Sequence, residues 1–141
     1  MSGKLVTRRQ RLVRVREAQH AMAVADTARA QQEANSIADN AQRLARVRAE
    51  LFKADPQMGG VFAAYRELAD RLEQAGRQLD GALYDARKLI VEKQDMQVAA
   101  NRDKEMAVRL KDRAHADAEE RREARLASIP RHRSMQQRGL E

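Results

Sequence analysis

The side chains that could carry out chemistry are few, and they stand apart from one another. The chain has no cysteine, and no two of its histidines (His20, His115 and His132) are three or four residues apart, the helical spacing of paired metal ligands. Neither G-x-x-x-x-G-K-[ST] nor G-x-G-x-x-G occurs, so no phosphate-binding loop is indicated. The carboxylates are spread over polar stretches. We therefore predict no enzymatic activity, no catalytic residue, no cofactor and no metal.

Among the residue types that could form a site, only arginine is clustered in the sequence. Seven arginines gather near the two ends of the chain: Arg8, Arg9, Arg11, Arg14, Arg121, Arg122 and Arg125. The net charge is +7, divided as +6 over residues 1–54, −3 over 55–120 and +4 over 121–141. Such clusters can simply keep a protein soluble, bind an acidic surface of another protein, or bind nucleic acid. Nucleic acid is the least favoured, because no aromatic platform for base stacking stands among these arginines.

Composition predicts long helices as the elements that position these charges. Of the 141 residues, 43% are apolar, but only 3% are aromatic, and 26 are alanine. Alanine buries little area, so a thick core is not expected, whereas long helices and coiled coils have this composition. The lack of cysteine, of a signal-peptide core and of an apolar run of about 20 residues predicts a soluble cytoplasmic protein.

Heptad spacing in the second half predicts a coiled coil. One series of apolar positions recurs every seven residues from Tyr65: Tyr65, Leu72, Leu79, Ala86, Lys93, Ala100, Ala107 and Ala114. A companion series starts at Leu68: Leu68, Ala75, Ala82, Leu89, Met96, Asp103, Leu110 and Asp117. Thirteen of these sixteen positions are apolar, and Leu83 and Ile90 widen the stripe. The predicted helix stops near 127–129, because the residue before Pro130 is pushed out of helical geometry.

The first half carries a less regular stripe. Residues spaced by seven are Leu51, Leu44, Ile37, Ala30 and Ala23, with Ala41 and Ala34 between them. Nearer the N-terminus the apolar stripe drifts to Met22, Val15 and Leu12, as expected of a helix whose repeat is nearer 3.6 than 3.5 residues.

The stretch "DPQMGG" separates these two helices. Pro56 disrupts helical geometry, and Gly59 and Gly60 permit a positive φ. The sequence predicts an all-α fold of two long antiparallel helices forming a coiled-coil hairpin, with helix 1 at 4–54, the turn at 55–60, helix 2 at 61–128 and a flexible basic tail at 129–141. Facing residue numbers should add up to about 116, so that Leu51 faces Tyr65 and Ile37 faces Leu79. The predicted molecule is a monomeric rod about 100 Å long.

The layout resembles the FliJ family of flagellar type III export and its injectisome relatives. The resemblance lies in a basic N-terminal helix, a break, and "YRELADRLEQAGRQL" leading into "VEKQDMQVAANRDKEMAVRLKDRAHADAEERREARL". It covers nearly the whole chain in length and layout, although the turn segment of the family is often longer and more aromatic.

The resemblance implies a stalk in bacterial flagellum biogenesis, and through it chemotaxis, or in type III secretion. Such a stalk is cytoplasmic and peripheral at the inner membrane, without inserting into it. The end with both termini would bind an export ATPase hexamer, and a surface nearer the turn would bind the membrane export gate; export chaperones are further partners. Carried over by matching positions, the gate surface comprises Tyr65, Leu68, Leu72 and Ala75. The seven arginines are assigned to the ATPase end from charge alone.

Two other classes of protein remain open. One is a basic coiled coil that binds nucleic acid through its arginines, which retention on DNA with a steep salt dependence would favour. The other is a homo-oligomeric structural coiled coil, which a dimer mass without an ATPase partner would favour.

Overall fold

Two long helices make up the described part of the chain. The computed structural model describes the backbone of residues 2–53 and 59–139, and the side chains of 3–53, 62–129 and 139. Helix α1 spans Ser2–Lys53 and helix α2 spans Gly59–Arg138, and no strand occurs among these residues. The helices pack against each other, and their contacts run in opposite chain directions. The predicted all-α hairpin of two antiparallel helices is thus confirmed.

Helix α2 is longer at both ends than the sequence predicts. It begins at Gly59, so both glycines assigned to the turn belong to the helix, and glycine is well tolerated at a helix start. It also continues through Pro130 to Arg138, so the predicted end near 127–129 is wrong. Proline removes the N–H that would bond the carbonyl of Leu126. Leu126 is exposed, so water can satisfy that carbonyl. Most of the predicted turn, residues 54–58, lies outside the described residues.

Buried and half-buried residues define the seam, the set of heptad positions a and d that face the other helix. In α1 the a positions are Val6, Val13, His20, Thr27, Ala34, Ala41 and Arg48. The d positions of α1 are Arg9, Arg16, Ala23, Ala30, Ile37, Leu44 and Leu51. The predicted drift to Met22, Val15 and Leu12 is wrong, because these three side chains are exposed and the heptad continues through polar residues.

One of the two series predicted for α2 lies in the seam. The d positions are the predicted series from Tyr65 to Ala114, all half-buried or buried. The a positions are Ala69, Gly76, Leu83, Ile90, Gln97, Lys104, Lys111 and Ala118. The predicted companion series from Leu68 is therefore wrong by one residue and occupies the g positions. Leu68 and Met96 accordingly remain 46% and 60% exposed.

Contacts between the helices fix the register. Thr27 Oγ1 lies 3.2 Å from the carbonyl oxygen of Lys93, and Leu44 Cδ2 would lie 3.7 Å from a Cβ on Gly76. These partners have residue numbers that add up to 120, as do all the seam pairs in the a and d series. The predicted sum of 116 is wrong by about one helical turn. The two helices are placed unevenly about residue 60, the midpoint of the observed register. Helix α1 ends at Lys53, well before residue 60, whereas α2 already begins at Gly59.

Several layers of the register pair a large residue with a small one. We infer layers of Leu44 with Gly76, Ala41 with Leu79, Ala30 with Ile90 and Val13 with Ala107. In these layers the small residue on one helix lets the large side chain on the other approach closely. Alanines accordingly supply four of the five buried apolar residues among those described.

The contact of Leu44 with Gly76 predicts that a leucine substitution is harmful at Gly76 but not at Gly81. Gly76→Leu is expected to lower the free energy of unfolding by about 1–3 kcal/mol, because Leu44 already occupies the space beside it. Urea unfolding followed by circular dichroism at 222 nm measures this effect.

Gly81→Leu is the matched control for this prediction. No atom lies within 4 Å of a Cβ at Gly81, so this change should stabilise the helix by up to about 1 kcal/mol through helix propensity alone. Equal effects at both positions would contradict the packing of Leu44 on Gly76.

Disulfide formation tests the register directly. Because the chain has no native cysteine, paired replacements report on one distance at a time. The pair Ala41→Cys with Leu79→Cys, whose numbers add up to 120, should oxidise to an intramolecular disulfide. The pair Ile37→Cys with Leu79→Cys, one turn out of register, should oxidise much more slowly on non-reducing gels. Faster oxidation of the pair at positions 37 and 79 would instead support the register in which facing residue numbers add up to 116.

Candidate functional site

Two compact units divide the chain, and their charges differ. The terminal unit comprises Met1–Met22 and Val98–Glu141, and the loop unit comprises Ala23–Gln97. The terminal unit has 17 basic and 9 acidic side chains, a net charge of +8. The loop unit has 11 basic and 12 acidic side chains, a net charge of −1. The entire positive excess of the protein therefore belongs to the terminal unit.

All seven arginines predicted for the ATPase end lie in the terminal unit, in two settings. Arg8, Arg11 and Arg14 are exposed on the outer face of α1, whereas Arg9 is half-buried in the seam. The remaining three, Arg121, Arg122 and Arg125, lie on α2 within 119–129, where every side chain is exposed. Six of the seven arginines are thus available to a partner.

The seam of the terminal unit includes basic side chains, a feature that apolar patterning did not find. Arg9 Nη1 donates a hydrogen bond of 2.8 Å to the carbonyl oxygen of Leu110. Arg16 Nη1 lies 3.5 Å from the carboxylate of Asp103. In the a–d layers, Arg9 is paired with Lys111 and Arg16 with Lys104, so two layers place a basic side chain on both helices. The signal available in the sequence was the seven-residue spacing of Arg9 and Arg16 from Ala23.

Threonine supplies the corresponding polar contact in the loop unit. Thr27 is only 6% exposed, and its Oγ1 lies 3.0 Å from the carbonyl oxygen of Ala23 and 3.2 Å from that of Lys93. One hydroxyl proton serves both acceptors, so the side chain ties α1 to the backbone of α2 at this layer. The contact with Lys93 crosses between the helices and therefore marks the register, whereas the bond to Ala23 lies within α1 and does not depend on the register.

The residues predicted for the gate surface differ in their surroundings. Tyr65 and Leu72 occupy d positions and line hollows between the helices, on the side of the e positions. Leu68 and Ala75 occupy the neighbouring g positions and line neither hollow. The four residues share one stripe of α2, because they are three or four positions apart, but only two of them border the hollows.

Three of the four aromatic residues of the protein surround one hollow in the loop unit. It has a volume of about 360 Å³ and is lined by Arg48, Leu51, Phe52, Phe62, Tyr65, Arg66, Ala69, Asp70 and Glu73. Phe52 and Phe62 are 66% and 55% exposed, and the guanidinium of Arg48 lies 5.6 Å from the centre of the Phe52 ring. A second hollow of about 380 Å³ shares Arg48 and Phe52 with the first. Exposed aromatic rings beside a hollow are typical of protein-binding sites.

Acidic residues four positions before a basic residue recur on α2, and two of these spacings form ion pairs. Glu67 pairs with Arg71 at 2.8 Å, and Glu73 pairs with Arg77 at 3.1 Å. The similar spacings at 105 and 109 and at 117 and 121 form no ion pair in the described structure. Glu105 instead accepts a hydrogen bond of 3.4 Å from Asn101. These exposed pairs each add only about 0.3–0.5 kcal/mol, so they do not define a site.

Other classes of site were searched over the described residues. In that part of the chain, no three or more histidine, aspartate or glutamate side chains come together as metal ligands could. Neither described helix contains an apolar window long enough to cross a bilayer.

Comparisons with known proteins add no family to this description. The chain shows no significant match to any protein-family model, curated protein or solved structure. The candidate sites therefore depend on geometry and chemistry alone: a basic terminal unit, and an aromatic hollow in the loop unit.

Proposed function

We propose that the chain is a stalk of the FliJ type in a bacterial type III export apparatus. The terminal unit binds the export ATPase ring, and the loop unit binds the membrane export gate. The observation that carries the proposal is the division of charge, +8 on the terminal unit and −1 on the loop unit. Export chaperones are additional proposed partners, and the proposed location is the cytoplasmic face of the inner membrane.

Charge and exposure support the ATPase contact. The segment 119–129 is exposed throughout and presents Arg121, Arg122 and Arg125. Each exposed arginine contributes about 0.2–1 kcal/mol to an ion pair, so several must act together for useful affinity. An acidic lining inside a ring would meet several of these exposed arginines at once.

Exposed aromatic rings support the gate contact. The hollow lined by Phe52, Phe62 and Tyr65 is partly apolar, and it is bordered by both arginine and carboxylate side chains. Phenylalanine rings that remain more than half exposed lose much water-accessible surface when a partner covers them.

Charge reversal tests the ATPase contact. Arg121→Glu, Arg122→Glu and Arg125→Glu together should weaken binding of the purified export ATPase by at least tenfold, since three attractive contacts become repulsive. Raising the salt concentration should weaken the binding of the unchanged chain in the same direction. Biolayer interferometry with the full-length protein measures both effects.

The matched control reverses three arginines of the loop unit. Arg43, Arg46 and Arg87 are exposed and form no ion pair in the described structure, and their replacement by glutamate changes the net charge equally. This control should keep most of the ATPase affinity. An equal loss of ATPase affinity in both triple variants would mean that only net charge matters and that the three arginines of the terminal unit are not a specific contact. Unchanged affinity in both variants would reject the contact. Retention on DNA without ATPase binding would favour the nucleic-acid class.

The gate contact has its own test, because Tyr65 lines the aromatic hollow and the neighbouring Leu68 does not. If the gate covers the aromatic hollow, Tyr65→Ala should weaken gate binding severalfold, whereas Leu68→Ala should leave it unchanged. Both variants should retain ATPase binding. Loss of ATPase binding on changing Tyr65 would show that the roles of the two units are wrongly assigned.

A further inference from the structure

The two sides of the terminal unit differ in chemistry. In an antiparallel pair, the g positions of the two helices share one side and the e positions share the other. The contact of Arg16 at position d with Asp103 at position g is consistent with this arrangement. Up to residue 118, the e positions of the terminal unit are Gly3, Gln10, Glu17, Asn101, Val108 and His115. Only Val108 among them is apolar.

The opposite side carries a row of apolar side chains, here called the g face, which are exposed except for the half-buried Leu110. It consists of Leu5, Leu12, Val15 and Met22 on α1 and Met106 and Leu110 on α2, all at g or c positions. Leu5, Leu12 and Val15 are 42%, 37% and 52% exposed, and Met22 and Met106 are more than 60% exposed. The series on α1 repeats every seven residues, from 5 to 12 and from 15 to 22. Adding g positions to an a and d stripe is the pattern of a helix that packs against more than one neighbour.

Arginines border the g face along both of its helices. Arg11 and Arg109 lie at f positions beside the face, whereas Arg8 and Arg113 lie at c positions among its apolar residues. None of these four forms an ion pair within the part of the chain that the structure describes. Among the carboxylates at g and c positions of the terminal unit, Asp103 is already engaged by Arg16, which leaves Asp117 and Glu120 beyond Leu110. An apolar row with a basic border on each side is complementary to an amphipathic helix with acidic borders.

We propose that the g face binds an amphipathic α-helix of a partner protein, with an apolar ridge and glutamate or aspartate along its two edges. The bound helix would lie along α1 and α2 and complete a three-helix packing. The seven-residue spacing favours a helix as the occupant, because a helix in a coiled coil presents its ridge at that repeat. The face contains no aromatic residue, whereas helices that lie on membranes commonly use them. This inference goes beyond the proposed function and does not require the partner to be an ATPase.

The experiment uses two synthetic 21-residue helical peptides as probes. Both contain leucine at positions a and d, and their e and g positions carry glutamate in one peptide and lysine in the other. Fluorescence anisotropy with the full-length protein should show at least tenfold tighter binding of the glutamate peptide. Added salt should reduce this difference. Equal binding of the two peptides, or tighter binding of the lysine peptide, would overturn the proposal.

Substitutions then place the bound peptide on the molecule. Leu12→Gln with Met22→Gln should weaken binding of the glutamate peptide at least tenfold, with unchanged helicity because both side chains are exposed. The control, Val98→Gln with Leu126→Gln, changes two exposed apolar residues of the same unit outside the g face and should bind normally. Equal weakening in both variants would overturn the assignment of the site.

The same variants test whether the g face is instead covered by a second copy of the chain or by a membrane surface. A dimer mass by light scattering that Leu12→Gln with Met22→Gln abolishes would mean that a second copy covers the face. Binding to phosphatidylserine vesicles that is lost in the same variant would mean a membrane surface. Either result would overturn the proposal.

Discussion

Replacing the basic layer Arg16 and Lys104 by leucine should raise the stability of the protein. Both side chains are half-buried, and the register pairs them across the seam, so two like charges are kept close where water is partly excluded. Exchange of buried charged groups for apolar residues of similar size commonly stabilises a protein by about 1–4 kcal/mol. At this chain length the thermal midpoint should rise by about 3–12 °C. Thermal unfolding followed by circular dichroism measures the effect.

The control for this prediction replaces two exposed arginines of the same helix. Arg8→Leu with Arg11→Leu removes a comparable charge from the surface and should change the free energy of unfolding by no more than about 0.5 kcal/mol per residue. A fall in stability on replacing Arg16 and Lys104 would contradict the prediction. It would mean that the ion pair of Arg16 with Asp103 outweighs the repulsion between the two basic side chains.

Placing a carboxylate at Ala107 should have the largest destabilising effect. Ala107 is 2% exposed, and the layer partner inferred from the register is Val13, which is 6% exposed. Ala107→Asp would bury a charge with no partner in that layer, at a cost of about 3 kcal/mol or more. Urea unfolding should show this loss at pH 7. Hydrogen exchange should also show faster exchange of the seam amides in the terminal unit.

The pH dependence identifies charge as the cause. Burial raises the pKa of a carboxyl group above its ordinary value of about 3.9. The charge penalty is therefore absent below that value and appears as the pH rises through the raised pKa, so Ala107→Asp should be better tolerated at pH 3 than at pH 7, relative to the unchanged chain. Ala99→Asp is the matched control, since Ala99 is exposed on the same helix. If Ala99→Asp were equally harmful, helix propensity and not burial would be responsible.

The sequence alone determined that the chain forms two long antiparallel helices. The alanine-rich composition, the seven-residue spacing from Tyr65 to Ala114 and the break near Pro56 each depend on local chemistry, which is visible without a structure. The clustering of arginines near both ends is also a property of the sequence. Once the chain turns back on itself, those ends must fall in the same unit.

The choice of seam positions was decided only by the tertiary structure. On α2, the series from Leu68 has six apolar members out of eight, whereas the true a series includes Gln97, Lys104 and Lys111. Counting apolar residues therefore favoured the wrong series by one residue. The structure accepts polar members because the long side chains of arginine and lysine can lie partly along the seam while their charged ends reach water, a carboxylate or a carbonyl.

The register likewise required the partner helix. Leu44 lies near small or apolar residues whether facing residue numbers add up to 116 or to 120, since it lines one hollow with both Leu72 and Gly76. What separates the two registers is the fit of Leu44 against the missing side chain of Gly76 and the bond from Thr27 to the carbonyl of Lys93. Both are contacts between residues more than 30 positions apart, and their geometry depends on how closely the two helices approach. A periodic pattern along one helix specifies which face is buried, but the depth and offset of its partner depend on packing between the two.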